Sequence, residues 1–500
     1  MTVASSASRR QAARALERLR GLATALALAL AALLAGPAQA GAHGIVAVED
    51  LPIPPWLFVW GASLVLIVSF VGLSVAWQRP RLEGDDWRPL SPPLSRLVLN
   101  PFTKGLAGLL GVVLLVVTVW AGLYGTEAPQ RNFAVTFVFV TFWLGMAGLS
   151  VAFGDVFRAF NPWRAIARAA SAGFRLIAGQ PAPVPLRYPE RLGRWPAVVG
   201  LFLFFWLELV YAPPGFEGVQ LSPYTVAVAA LVYSAYTFCG MALFGIETWL
   251  HRGEAFSVLY SMLARLSVLE VRDGRLGRRR FLAGATGWGR DVPGSVAFVL
   301  MFIAGTTYDG AAEGVLSAPV NSLAEALMDA GVGPVASLRL VSTAFMLLTV
   351  AFVFAIYWGG IRGMDTVEGS PPVRQLGRAF AHSFIPIALA YSVAHYFSLF
   401  VFQIQAQFTY LLSDPLGDGS NYFGTAGSGI DYGILGAELI WYVQVGALVV
   451  GHVLALAMGH DKALTVYRDV QQATRSQYWM LALMIGFTSL GLFLLSQANA

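Results

Sequence analysis

The stretch AFAHSFIPIALAYSVAHYFSLFVFQIQ, residues 379–405, is too apolar and too long for a helix that faces water. Together with IWYVQVGALVVGHVLALAMGHD, residues 440–461, it predicts two neighbouring helices that cross a lipid bilayer. These two segments carry four of the six histidines of the chain. Ionisable side chains at such depth are costly in hydrocarbon, so they normally face the interior of a helix bundle. The pair therefore indicates a membrane protein and the place of its functional site.

Composition supports this class. Hydrophobic residues make up 57% of the 500 residues and charged residues only 12%, far from the mixture of a soluble domain. We predict an all-α fold, a polytopic integral membrane helix bundle with about ten transmembrane helices after a cleaved signal peptide. The expected spans are residues 56–77, 105–124, 133–153, 195–210, 223–244, 293–307, 337–358, 379–402, 438–460 and 478–495. The single cysteine, Cys239, excludes a disulfide framework and a thiolate metal site.

The first 40 residues have the pattern of a secretory signal peptide. Five arginines precede an Ala/Leu run, and Ala38-Gln39-Ala40 follows it. Cleavage after Ala40 leaves residues 41–500 as a single transmembrane bundle, and cleavage after Ala42 is the alternative.

Arginines mark the side of each loop. Loops 154–194 and 245–292 are rich in arginine, which places them in the cytoplasm and loop 408–431 in the periplasm. The expected location is the bacterial inner (cytoplasmic) membrane, with both mature termini periplasmic. The arginine cluster 278–280 lies beside spans, so it indicates topology and lipid headgroups rather than nucleic acid. Residues 255–269 have the spacing of an amphipathic helix lying on the inner leaflet.

Two acidic residues are expected at span ends. The sixth span is expected to leave the bilayer at Tyr308-Asp309-Gly310, and Glu208 is interpreted as a solvated carboxylate. Both interpretations place these carboxylates outside the functional site.

The outer group of polar residues centres on His395. An imidazole with a carboxylate can hold zinc or a similar divalent ion with an open water position, and such an ion supplies hydroxide near neutral pH. The candidate catalytic residues are His395, Glu438 and Asp431. The candidate substrate-binding residues are Tyr391, Gln403 and Gln444.

The remaining candidate ligands lie elsewhere. His382, His452 and His460 are expected near the inner side, where they could meet and bind metal, whereas His395 is expected toward the periplasm as a separate metal ligand. The glycine-rich loop DPLGDGSN, residues 414–421, offers Asp414 and Asp418 as oxygen ligands. The alternative for that loop is a turn capped by its own aspartates.

Several motifs resemble the bacterial membrane proteins known as fenitrothion hydrolases. They are LPIPPWLFVWGASLVLIVSFVGLSVAWQRPRLE at 51–83, DVFRAFNPWRA at 155–165, PIALAYSVAHYFSLFVFQIQ at 386–405, DPLGDGSNYFGTAGSGIDY at 414–432 and WYVQVGALVVGHVLALAMGHD at 441–461. The resemblance covers most of the mature chain and implies hydrolysis of an organophosphorus triester by an inner-membrane protein. It implies no particular catalytic residues, so the assignments above rest on depth and chemistry.

Two further function classes stay open. Paired histidines on facing spans are the usual axial ligands of a b-type haem, so a haem- or metal-binding redox protein is one alternative. A permease for a metal or a small solute is the other. In each case the expected partners are the lipid bilayer and a small apolar substrate or solute, with no nucleic acid; the sequence sets no oligomeric state.

Overall fold

A computed structural model describes residues 55–84, 86–180, 184–212, 221–312 and 314–498. The predicted signal peptide, residues 1–40, lies outside this part of the chain. Among the described residues, nine helices are long and apolar enough to cross a membrane. The first predicted span forms a further helix, Pro55–Ala76, whose apolar part Trp60–Ala76 is shorter. The prediction of an all-α polytopic membrane bundle is therefore confirmed.

The helices follow one another along the chain with short connections. They are α1 (Pro55–Ala76), α2 (Pro92–Leu99), α3 (Pro101–Tyr124), α4 (Phe133–Phe153), α5 (Phe157–Phe160), α6 (Pro162–Ala178), α7 (Trp195–Trp206), α8 (Pro223–Phe244), α9 (Ile246–Arg252), α10 (Ala255–Leu263), α11 (Ser295–Ala312), α12 (Ser317–Asp329), α13 (Pro334–Asp365), α14 (Val373–Phe380), α15 (Ile385–Phe408), α16 (Tyr410–Ser413), α17 (Ala437–Val466) and α18 (Val470–Ala498). A small antiparallel sheet joins β1 (Arg88–Pro89), β2 (Leu269–Arg272) and β3 (Arg275–Arg278) in the order β1-β3-β2.

Helix α11 forms the centre of the bundle. Its sequence SVAFVLMFIAGTTYDGAA is mostly apolar on every side and has Asp309 as its only charged residue, as expected for a helix without a lipid-facing or water-facing surface. It packs against α7, α13, α15 and α18, and nearly all its residues are buried. It extends to Ala312, five residues beyond the predicted end of the sixth span. Asp309 therefore lies inside the bundle.

Helix α10 corrects the prediction of a helix on the inner leaflet. Seven of its nine residues are buried, and the aromatic rings of Phe256 and Tyr260 pack edge to face against Phe142. The Glu254 carboxylate caps its start by accepting from the backbone N–H groups of Phe256 and Ser257. The amphipathic spacing predicted the helix correctly, but protein rather than lipid covers its apolar face.

The arginine-rich loops meet at one end of the bundle, here called the basic face. Strand β1, which lies in the connection between α1 and α2, pairs with β3 of the loop 245–292. Glu247 of that loop accepts ion pairs from Arg158, Arg164 and Arg168 at 3.0, 2.9 and 2.8 Å. At the opposite end, called the loop face, the Arg131 guanidinium donates to the Ala426 carbonyl. The predicted basic loops are therefore on the same side, and loop 408–431 is on the other.

Gly305 provides a test of the packing around α11. A Cβ atom added there would lie 2.3 Å from the ring of Phe205, which is itself fully buried. We expect Gly305→Ala to lower the free energy of unfolding by about 1–3 kcal/mol because the ring has no room to move. Gly359→Ala on α13 is the matched control, since no atom lies within 4 Å of its added Cβ. Thermal unfolding in detergent checks the pair, and equal midpoints for Gly305→Ala and wild type would refute this packing.

Candidate functional site

His395 on α15 and Asp309 on α11 form a buried pair. The His395 Nε2 atom lies 3.0 Å from Asp309 Oδ2, and the side chains are 18% and 8% exposed. The Tyr396 hydroxyl donates to the same Oδ2 atom at 2.6 Å. The Asp309 carboxylate is thus held between an imidazole and a phenol. Since α11 and α15 pack against each other, the pair is fixed by the core of the bundle.

Glu208 adds a second buried carboxyl group. It lies in a π-helical turn, Leu207–Tyr211, that continues α7. Such wide turns occur often at functional sites. Glu208 is 5% exposed, and it lies near enough to Asp309 for the two carboxyl charges to repel each other. Its Oε2 atom is buried and has no hydrogen-bond partner among the described residues.

The π-helical turn is anchored at its end. Arg339 of α13 donates from Nε to the Tyr211 carbonyl at 2.9 Å, and its guanidinium lies 3.9 Å from the centre of the Tyr211 ring. The other ends of α7 and α11 meet at the basic face, where Arg194 donates to the Ser295 hydroxyl at 2.8 Å. Glu208 and Asp309 therefore lie in the parts of their helices that are nearer the loop face.

Sequence reasoning missed both carboxylates, although a signal was present. Glu208 is the only charged residue of its span after Arg194, and Asp309 is the only one in α11. A lone charge in an apolar helix indicates a functional site by default. The prediction instead treated Glu208 as solvated and ended the sixth span before Asp309, so the carboxylate partner of His395 was sought elsewhere.

The other residues predicted to lie near His395 differ in their exposure and in their hydrogen-bond partners. Glu438 is exposed in the first turn of α17, and Asp431 is exposed in the loop, where its Oδ1 accepts from the Gly433 N–H at 2.8 Å. The Tyr391 hydroxyl donates to the Phe487 carbonyl. Gln403 is half-buried and Gln444 is buried. The carboxylate that the bundle pairs with His395 is Asp309, rather than Glu438 or Asp431.

The other three histidines are buried, each in its own setting. His452 Nδ1 lies 2.8 Å from the Leu448 carbonyl, and His460 Nε2 lies 2.9 Å from the Trp77 carbonyl. His382 is 1% exposed in the short turn that precedes α15. An axial histidine binds the haem iron through one ring nitrogen. One ring nitrogen of His452 and one of His460 already contact a carbonyl oxygen, so each ring has one nitrogen left for haem binding.

The predicted metal ligands are not brought together. Within the described ranges, no three His, Cys, Asp or Glu residues lie close enough to hold a metal ion, whereas catalytic zinc uses three protein ligands. The candidate ligands were His395 toward the periplasm, His382, His452 and His460 near the inner side, and Asp414 and Asp418 in the loop. Metal binding by any of them stays a prediction.

The loop 414–421 instead forms the capped turn that was the alternative. The Asp414 carboxylate accepts from the N–H groups of Asp418 and Gly419, both at 3.0 Å. Asp418 accepts from the Ser420 N–H at 3.0 Å and from its hydroxyl. These bonds from Ser420 hold the pKa of the Asp418 carboxyl below its ordinary value. The loop aspartates therefore stabilise the turn.

The site combines an imidazole with a carboxylate, and such a carboxylate stabilises the protonated form of the imidazole beside it.

The chain matches no protein-family model, no curated protein and no solved structure.

Proposed function

We propose that the protein is a membrane-embedded hydrolase of apolar organophosphorus triesters, in which His395 is the general base and Asp309 positions it. The contact of 3.0 Å between His395 Nε2 and Asp309 Oδ2 carries this proposal. Such a carboxylate fixes the orientation of the imidazole and stabilises its protonated form. The motif resemblance to fenitrothion hydrolases supplies the substrate class.

The proposed step needs water and the two side chains. With Nε2–H donating to Asp309, the lone pair of His395 is on Nδ1. Nδ1 takes a proton from water as the water oxygen attacks phosphorus. The P–O bond to the aryl group breaks, and the phenolate leaves with the bonding electrons. The imidazolium then returns its proton to the phenolate, so the products are a phosphodiester and a phenol.

The membrane setting fits such a substrate. An apolar aryl triester partitions into lipid and reaches a buried site without crossing a charged surface. We also propose a bacterial inner membrane location with the loop face in the periplasm, which the convergence of the arginine-rich loops supports. The proposed step uses His395, Asp309 and water, and within the described ranges no three His, Cys, Asp or Glu residues are grouped closely enough to hold a metal ion.

Release of the phenol from a nitroaryl phosphotriester tests the proposal. Purified protein in detergent is expected to release the coloured nitrophenol, and the rate is expected to persist after treatment with a chelator. Loss of all activity with the chelator, restored by zinc, would favour the metal-dependent mechanism instead. Absence of product with untreated protein would refute triester hydrolysis.

Glu208 favours a second candidate, a proton-coupled permease for a metal or small solute. Its Oε2 atom is buried without a partner among the described residues, next to Asp309. Chains of intramembrane Asp, Glu and His carry protons in transporters. Zinc uptake into proteoliposomes under a pH gradient distinguishes the two functions. A permease should lose that uptake in Glu208→Gln and release no phenol, whereas the hydrolase should accumulate no zinc.

A further inference from the structure

A cavity of about 850 Å³ opens at the basic face, away from the His395 site. It lies between the segment before α11, the helix α14 and the end of α17. Its charged lining residues are Glu83, Arg290, Asp291, Arg374, Arg378 and Lys462. We propose that this cavity binds the phosphate group of an anionic ligand. The proposal shares no residue with the hydrolase site and does not depend on it.

The charges of the cavity do not balance. Lys462 is 7% exposed and is neutralised by an ion pair with Glu83. The three arginines then face a single further carboxylate, Asp291. No ion pair within the described part of the chain engages Arg290, Arg374 or Arg378. The cavity therefore keeps an excess of two positive charges, which an anion would offset.

Helix α14 presents two of these arginines together. Arg374 and Arg378 are four residues apart, so they lie one turn apart on the same face of the helix. Leu376, Gly377 and Phe380 on the remaining faces are buried in the bundle, which fixes the helix in place. The two guanidinium groups are therefore held on a rigid element at the rim of the cavity.

The geometry of arginine suits a phosphate group. The planar guanidinium donates two parallel hydrogen bonds to phosphate oxygens, and several arginines can surround one phosphate group. The volume is typical of a site for a whole small molecule and exceeds the space of one phosphate ion. A phosphate ester, which carries further atoms beside its phosphate, is therefore the ligand class of this proposal. An acidic phospholipid headgroup and a soluble phosphate compound share this chemistry.

Ligand-induced stabilisation of the full chain in detergent tests the proposal. The two probes are dihexanoylphosphatidylglycerol and inorganic phosphate, at equal ionic strength, with dihexanoylphosphatidylcholine as the zwitterionic comparison. Wild type should gain thermal stability with at least one anionic probe. The double variant Arg374→Gln/Arg378→Gln should bind that probe about 10-fold more weakly. The affinity is measured as the probe concentration that gives half of the maximal thermal stabilisation.

The control loses the same charge elsewhere on the basic face. Arg275→Gln/Arg278→Gln removes two exposed arginines of β3 that do not line the cavity, and it should keep wild-type affinity. Stabilisation by the lipid alone assigns the site to a headgroup, and stabilisation by inorganic phosphate assigns it to a soluble phosphate compound. The proposal would be overturned if neither anionic probe stabilised the wild-type protein. It would also be overturned if the cavity variant and the β3 variant weakened binding equally.

Discussion

His395→Gln is expected to lower kcat for triester hydrolysis by about 10²- to 10⁴-fold, the usual contribution of a positioned general base. Glutamine keeps a donor for Asp309 and nearly the same volume, but it has no lone pair that can take a proton from water. The Asp309–Tyr396 contact of 2.6 Å is independent of the imidazole, so the bundle should stay folded. Nitrophenol release measures the rate, and thermal unfolding confirms the fold.

Asp309→Asn should lower the rate of triester hydrolysis by a similar factor. Asparagine offers an amide in place of the carboxylate, so it cannot stabilise the protonated imidazole and can hold the wrong tautomer. In Asp309→Asn the loss should fall on kcat with little change in KM, because Asp309 acts on the general base and not on substrate binding. A merely structural role would lower the amount of folded protein instead, which thermal unfolding measures.

The controls separate chemistry from packing. Tyr396→Phe removes one donor from Asp309 and should reduce the rate much less, by about 10-fold. His251→Gln changes an exposed histidine of α9 at the basic face and should leave the rate unchanged. A rate for His395→Gln within about threefold of wild type would remove His395 from the mechanism and leave the permease as the better interpretation of the buried carboxyl groups.

The spans were predictable because their ends have local causes. The predicted segments 133–153 and 223–244 coincide with α4 and α8, since Asn132 and Ser222 cap the helix starts by accepting from backbone N–H groups. The grouping of the basic loops was likewise predictable, because arginine stays on one side of a bilayer.

The partner of His395 was not predictable from one sequence. Which residues of two apolar helices face each other depends on how each helix is rotated about its axis. Apolar residues lie around almost the whole circumference of α11 and α15, so neither sequence shows which side meets the other. The span ending was misjudged because a polar triplet, Tyr308-Asp309-Gly310, also occurs where helices leave a bilayer. Only the packing of α11 among four neighbours shows that Asp309 stays inside.

Asp461→Ala is expected to destabilise the protein by about 1–3 kcal/mol, because its carboxylate accepts three hydrogen bonds, one of them from the buried Leu82 N–H. The carboxylate is 1% exposed and accepts hydrogen bonds from the segment that follows α1. The donors are Trp77 Nε1 at 2.8 Å, the Arg81 N–H at 2.6 Å and the Leu82 N–H at 3.2 Å. Alanine would leave the buried Leu82 N–H without its acceptor, which costs about 1–3 kcal/mol, whereas the part-buried donors of Trp77 and Arg81 can bind water instead.

A series of three variants shows whether the loss of these hydrogen bonds causes the destabilisation. Asp461→Asn keeps an acceptor for Trp77 and Arg81 but turns an amide N–H₂ towards the Leu82 N–H, so it should lose less than alanine. Glu325→Ala on the exposed surface of α12 should change the free energy of unfolding by no more than about 0.5 kcal/mol. Equilibrium unfolding in mixed detergent measures the series. Similar values for Asp461→Ala and Glu325→Ala would mean that α1 is held by its apolar contacts with α17 and α18, whereas the expected order makes this one carboxylate the anchor of the first helix.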